Sequence, residues 1–359
     1  MNPGPVNVTG RVRRALLRPD ICHREEEFST LLAGIRKKIL NIFGISKTHT
    51  VALFTASGTA ALESMLLSFA DKDKKILVLS NGVYGERLRT ILECRDLPCA
   101  FLSCEIGQFP DLKKIESLLK NDASIHGIAM VHHETSSGML NPLEAVATLA
   151  EKHGKTLLVD AVSSLGAEKI DFKKRPIGFL AGVSGKCLHG FPGISFVILS
   201  QKEAVKLQNR QPKSLYLDLK HALAWEDRND MPFTPAVQIF YALNEALDEL
   251  TKETLSERIK NYAEKSRLVQ QGLEDLGASC LIRDKNSRSH VLSAFWMPKN
   301  LSYDRLHAEL KKAGFVIYAG QSKFKDKIFR VANLGDVQEK DLNRFLKILG
   351  RVIRAGHDV

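Results

Sequence analysis

Short apolar runs separated by helical stretches fill the first two-thirds of this chain, and that alternation constrains its fold more than any other feature. Strands are expected at Lys75–Ser80, Cys99–Ser103, His126–His132, Thr156–Asp160, Gly178–Val183 and Ile194–Leu199. Helices are expected between most of them, at Thr59–Ala70, Glu86–Arg95, Leu112–Lys120 and Leu143–His153. Apolar strands interleaved with helices predict an α/β fold whose sheet is largely parallel and covered on both faces.

The pattern changes after about Pro235. Two long helical stretches, Gln238–Leu250 and Thr254–Leu276, lead to shorter expected strands near Ser279–Ile282, Val291–Trp296, Phe315–Ile317 and Ile328–Val331. Helices are expected at Tyr303–Ala313 and Glu339–Arg354. The expected division is a large domain over residues 1–240 and a smaller α+β domain over 241–359, a size split that 359 residues accommodate.

Composition removes several alternatives. No run approaches the ~20 apolar residues of a membrane span, and the start of the chain lacks the regions of a signal peptide, so no membrane and a cytoplasmic location are expected. The six cysteines show no zinc-like pairing and are expected to be reduced. The net charge of +11 fits either nucleic acid or anionic small molecules. Its positive residues are scattered and mixed with acids, so no nucleic-acid partner is expected. No G-x-G-x-x-G occurs, and no Gly-Lys-Ser/Thr follows the Ser57-Gly58 segment, which counts against dinucleotide and P-loop chemistry.

Functional groups in open α/β sheets gather at the carboxyl ends of strands. Asp160 ends one apolar run, and Lys186 follows 26 residues later between Ser184-Gly185 and Gly190-Phe-Pro-Gly193. Pyridoxal phosphate (PLP) requires such a pair: an amine to carry it covalently and a carboxylate for its pyridine nitrogen. Each residue also has a plainer reading, Asp160 as a cap on the next turn and Lys186 as a solvated loop lysine. Thr55-Ala-Ser57-Gly58-Thr59 precedes a helix whose first amides suit a phosphate, or Ser57 is an ordinary N-cap. Tyr84, in Gly82-Val-Tyr-Gly-Glu-Arg87, either stacks on a flat ring or packs beneath its turn. Thr135, in His132-His-Glu-Thr-Ser-Ser-Gly138, offers a hydroxyl to a ring oxygen. The adjacent His132 and His133 point to opposite faces of a strand, so no metal is expected. Thr234 reads as an N-cap with Pro235 in first helical position. Arg330 on its strand is either a carboxylate or phosphonate fork or a surface arginine.

Taken together these segments resemble the class V, fold-type I PLP aminotransferases, from Pro3-Gly4-Pro5-Val6 to Arg330. The resemblance implies a mostly parallel sheet of the seven-stranded type with a smaller C-terminal domain. It implies PLP as cofactor, Lys186 and Asp160 as catalytic residues, and Ser57, Gly58, Thr59, Tyr84 and Thr135 as further cofactor contacts. Thr234 is implied to reach the phosphate across a homodimer interface, and Arg330 to hold the substrate's anionic group, with Arg24 as a further anion contact. Within the class the chain looks most like 2-aminoethylphosphonate–pyruvate transaminases, through Asp20–Phe28, Ser214–Leu219, Pro232–Val237, Gly314–Tyr318 and Phe329–Gly335. His23 and Ala332 depart from the Pro and Gly common in that group. The implied activity is amino transfer from 2-aminoethylphosphonate to pyruvate. Alanine–glyoxylate or serine–pyruvate transamination is the alternative within the class, and a nucleic-acid-binding α/β protein the alternative outside it.

Overall fold

The computed structural model describes residues 1–299 and 301–357. Its strands are β1 (His49–Ala56), β2 (Lys75–Ser80), β3 (Cys99–Ser103), β4 (Ile125–Val131), β5 (His133–Glu134), β6 (Met139–Leu140), β7 (Thr156–Asp160), β8 (Phe179–Val183), β9 (Gly193–Ser200), β10 (Leu292–Trp296), β11 (Tyr318–Ala319) and β12 (Ile328–Ala332). Seven of them form one sheet in the order β1-β9-β8-β7-β4-β2-β3. The run from β3 through β8 is parallel, whereas β9 lies antiparallel to both β8 and β1. β5 and β6 make a short ribbon, and β10-β12-β11 make a separate antiparallel sheet.

The expected parallel sheet is therefore present, with two additions. β1 was absent from the expected strands because Thr50, Ala52 and Thr55 dilute its apolar run. β9 falls on the expected run, but it reverses direction. A parallel β8–β9 pair would need a crossover, usually helical. Only residues 184–192 separate these strands, too few for one, so the chain turns back antiparallel. That turn holds Lys186 near the carboxyl end of β8, beside the end of β7 that carries Asp160.

Helices cover both sheet faces, as continuous apolar strands demand. Phe28, Leu32, Ile35 and Ile39 of the helix Glu26–Ile42 are fully buried on one face. Ala61, Leu62, Met65, Leu66 and Phe69 of the helix Gly58–Phe69 pack on the other. The helix Val237–Glu253 runs through the boundary expected after residue 240. Its Phe240, Leu243, Leu247 and Leu250 pack into the large-sheet core, so the change of core falls at Thr254, where the next helix begins. The smaller core joins Val269 and Leu273 of the helix Leu255–Asp275 to Phe295, Phe329 and Phe345. The expected strand near Ser279–Ile282 is reduced to a single bridge, Cys280 to Phe295.

Candidate active site

The carboxyl ends of the parallel strands enclose a cavity of about 190 Å³ lined by Gly58, Thr59, Leu62, Tyr84, Arg87, His133, Thr135, Asp160, Val162, Ser163 and Lys186. Six expected site residues thus meet in one place although they span residues 58 to 186. The phosphate-type corner is the start of the helix Gly58–Phe69, where Ala60 N turns back to Ser57 O and the Gly58 and Thr59 amides have no backbone acceptor among the described residues. A Cβ at Gly58 would lie 3.0 Å from Val162 and 3.1 Å from Val183, so a side chain there would press on both valines. Ser57 occupies the N-cap position, but its side chain makes no capping bond. The plain-cap reading of Ser57 therefore fails. It is exposed and is not among the residues lining the cavity.

Asp160 is 4 % exposed. Its Oδ1 accepts from Val162 N at 2.9 Å, while Oδ2 has no donor among the described residues. Burial is the largest influence on this carboxyl and pushes its pKa up to about 6; the Val162 bond and the Arg87 and Lys186 charges pull it back. It is thus an anion at neutral pH with one oxygen available. Lys186 is half-buried, and burial lowers its pKa against the opposing pull of Asp160. A less protonated amine is a better nucleophile and base.

The loop carrying Lys186 is pinned throughout. Ser184 N donates to Ile194 O at 3.0 Å, and Gly190 N to Ser184 O at 2.9 Å. Arg258 Nη1 donates to Cys187 O at 3.1 Å, and His189 Nε2 meets Tyr262 OH at 2.8 Å. A Cβ at Gly185 would come 2.7 Å from Pro192 N, so the turn is built around the missing side chain.

Glu134, fully buried, ties the two aromatic-side segments together. Its Oε2 accepts from Tyr84 N at 3.2 Å and Gly85 N at 3.3 Å, and its Oε1 from Ser136 N at 3.1 Å. The carboxylate thereby caps the helix Val83–Glu93 from another strand and fixes both Tyr84 and Thr135. Arg87 lies over the Tyr84 ring at 4.7 Å and reaches Thr59 Oγ1 at 3.4 Å.

Arg330 reaches the same region from β12. It is 3 % exposed. Its Nε donates to Ala319 O at 2.8 Å and its Nη1 to Thr135 O at 3.0 Å, and Nη2 has no partner among the described residues. Neither Arg330 nor Arg87 has a carboxylate within ion-pair distance among the described residues. The surface-arginine reading of Arg330 is thereby excluded. Two unpaired guanidiniums at a buried site call for anions from outside the chain.

Two expected residues sit elsewhere. Arg24 donates to Asp230 Oδ1 at 2.8 Å and lies over the Trp225 ring at 5.1 Å, away from the residues that line this cavity. Thr234 is exposed and is not a helix cap: the helix begins at Val237, and Ala236 in the cap position donates from its amide to Thr55 Oγ1 at 3.1 Å. Pro235 cannot open a helix that starts two residues later. Conversely, Arg87, His133, Val162 and Ser163 line the cavity and were not among the expected contacts. All four had a usable signal, since each lies within three residues of an expected contact.

This donor set suits pyridoxal phosphate. The site offers an amine, a buried ionised carboxylate with a free oxygen, apolar surfaces on Tyr84 and Val162, and an uncapped helix start beside a cation. Comparison with known proteins gives the same frame. The model of the family Aminotransferase class-V matches residues 9–329. A 2-aminoethylphosphonate–pyruvate transaminase of Vibrio vulnificus is 34% identical over 352 residues, covering 96% of this chain and 95% of its own length. One from Bacillus cereus is 32% identical over 363 residues, covering 99% and 98%. Among solved structures, a subgroup IV aspartate aminotransferase from Thermus thermophilus superposes with a TM-score of 0.90 at 26% identity, covering 99% of each chain. An alanine–glyoxylate aminotransferase from Nostoc reaches 0.92 at 24% identity, covering 99% of this chain and 94% of that one. The chain belongs to the class-V aminotransferases, fold-type I enzymes that work with pyridoxal phosphate.

Proposed function

We propose that this aminotransferase moves the amino group of 2-aminoethylphosphonate to pyruvate, releasing phosphonoacetaldehyde and alanine. The observation that carries the reading is Arg330, a buried guanidinium with Nη2 unpartnered beside the cavity that holds Lys186. An arginine fork takes a phosphonate or a carboxylate by parallel hydrogen bonds, so one residue can serve both substrates in turn. The names of the relatives from Vibrio vulnificus and Bacillus cereus support the phosphonate as donor.

Gly58, Thr59 and Arg87 would hold the cofactor phosphate, Asp160 Oδ2 its ring nitrogen, Tyr84 and Val162 its ring, and Lys186 its aldehyde carbon. We add Thr234 of a second subunit as a phosphate contact in a homodimer, which its exposed position allows. Bound there, PLP supplies an electron sink next to the carbon that loses its proton. Asp160 keeps the ring nitrogen protonated by presenting a fixed negative charge. Lys186 Nζ takes a proton from the amine-bearing carbon of the donor and later delivers one to the acceptor carbon. Arg330 orients the anionic end of each substrate; one water is consumed on releasing the aldehyde and one is returned on taking up pyruvate.

The test is the absorption spectrum of the purified holoenzyme mixed with 2-aminoethylphosphonate, then with pyruvate. Bleaching of the cofactor band followed by alanine formation supports the reading. A band that responds to alanine or serine but ignores 2-aminoethylphosphonate moves the donor to the alanine–glyoxylate or serine–pyruvate type.

A further inference from the structure

The amine of Lys186 does not point into open space. Its Nζ donates to Pro3 O, and a Cβ built on Gly4 would lie 2.7 Å from Nζ, 3.1 Å from Cε and 3.3 Å from Cδ. Pro3 and Gly4 therefore form a wall directly against the reacting nitrogen.

The wall is anchored at both ends. Ala332 N, at the end of the strand that carries Arg330, donates to Met1 O at 2.9 Å. Asp336 N donates to Asn7 O at 2.8 Å, and Asn7 bridges Gly335. Val6 packs with Cys187, Tyr262 and Ala332. Between these anchors, Gly4 N donates to Asn2 Oδ1 at 2.8 Å, which holds the bend. Gly4 itself has φ +121°, a region that side-chain-bearing residues rarely adopt. The segment is thus fixed to the same strand as Arg330, with Pro3 O against the amine and Gly4 at the position where any side chain would meet it.

We infer that Gly4 is a specificity-determining residue: its bare backbone sets how large a substituent fits on the amine-bearing carbon of the substrate. That carbon must come within bonding range of the position Lys186 Nζ occupies, so its substituents meet the Pro3–Gly4 wall. A hydrogen or a methyl needs little space there, and each further carbon must push the wall away from its anchors. The inference rests on transamination at Lys186 and not on the phosphonate as donor.

The test uses the aminated holoenzyme with glyoxylate, pyruvate and 2-oxobutyrate, three acceptors that differ by one carbon each. A methylene in a tight pocket is worth about 10–200-fold in kcat/KM. The wild type should discriminate by at least about tenfold between pyruvate and 2-oxobutyrate. Gly4→Ala should move the cut-off down by one carbon, costing pyruvate about tenfold or more relative to glyoxylate. Asn2→Ala, which loosens the bend without filling space, should weaken the discrimination against 2-oxobutyrate. The dissociation constants of acetate, propionate and butyrate, read from the cofactor absorbance, should follow the same order without any turnover.

Equal loss on all three acceptors in Gly4→Ala with cofactor bound, together with unchanged ratios in Asn2→Ala, overturns the inference. If Gly4→Ala fails to bind cofactor, the Asn2→Ala ratios decide alone. A wild type that aminates pyruvate but ignores 2-aminoethylphosphonate overturns the donor reading and leaves this series intact with whichever donor the enzyme accepts.

Discussion

The cofactor end and the substrate end of the cavity are built in opposite ways. At the cofactor end, Asp160, Gly58, Thr59 and the Lys186 turn are placed by a single sheet, and backbone hydrogen bonds pin the Lys186 turn. At the substrate end, Arg330, Gln321 and the Pro3–Gly4 wall come from the small sheet and the first residues of the chain. Arg330 Nη2 has no partner there among the described residues. The first end is set by one sheet, and the second is assembled from separate parts of the chain.

The sharpest way to break this contrast is at Lys186. Lys186→Ala should lower kcat by at least about 10³-fold and abolish the covalent cofactor band, because nucleophile and proton carrier vanish together. A variant that retained turnover would remove Lys186 from the mechanism. Asp160→Asn should come next, at about 10²–10³-fold in kcat with the fold intact, since a fixed charge at the ring nitrogen is lost. Steady-state rates with cofactor in excess separate this from simple loss of binding.

At the substrate end the loss should appear in affinity. Arg330→Lys keeps the charge and removes the fork, and should raise KM for both anionic substrates by about 10²-fold, ~3 kcal/mol, with a smaller change in kcat. An effect confined to kcat would move Arg330 to the chemical end. A smaller, pH-dependent effect belongs to Asp160. Its raised pKa of about 6 means that it is protonated below that pH and charged above it. PLP affinity of the cofactor-free protein should therefore fall as pH drops through about 6 and level off above it, as read by fluorescence titration. The same falling limb in Asp160→Asn would assign the titration to another group.

The smallest effect is expected at Arg24. Its pair with Asp230 is largely exposed, with side chains 40% and 26% accessible, so Arg24→Ala should change stability by less than ~1 kcal/mol. A tenfold rise in the phosphonate KM would instead show that Arg24 of a second subunit reaches the cavity, and the substrate end would then extend across an interface.

This contrast also explains what was legible beforehand. Asp160, Lys186, Thr135 and Gly58 sit at strand ends or helix starts, so their spacing in the sequence measures the sheet itself. Tyr84 was legible for the same reason. Glu134 was not, because its role depends on a turn 50 residues earlier in sequence. Thr234 misled because a Thr-Pro pair before a helix looks like a cap, whereas Thr55 Oγ1 takes the Ala236 amide and shifts the start to Val237. The direction of β9 was hidden because an apolar run reads the same both ways; only the shortness of residues 184–192 limits it.

β1 pairs along its whole length with β9, His49 opposite Ser200 and Ala56 opposite Gly193. The helix start that would hold the cofactor phosphate follows β1 directly, yet the strand that clamps β1 in place is among the last of the sheet to be synthesised. During translation the Gly58 corner emerges long before its support exists, and such distant pairings are slow to close. A cofactor that needs that corner held in its final position is expected to bind after β1 and β9 have paired.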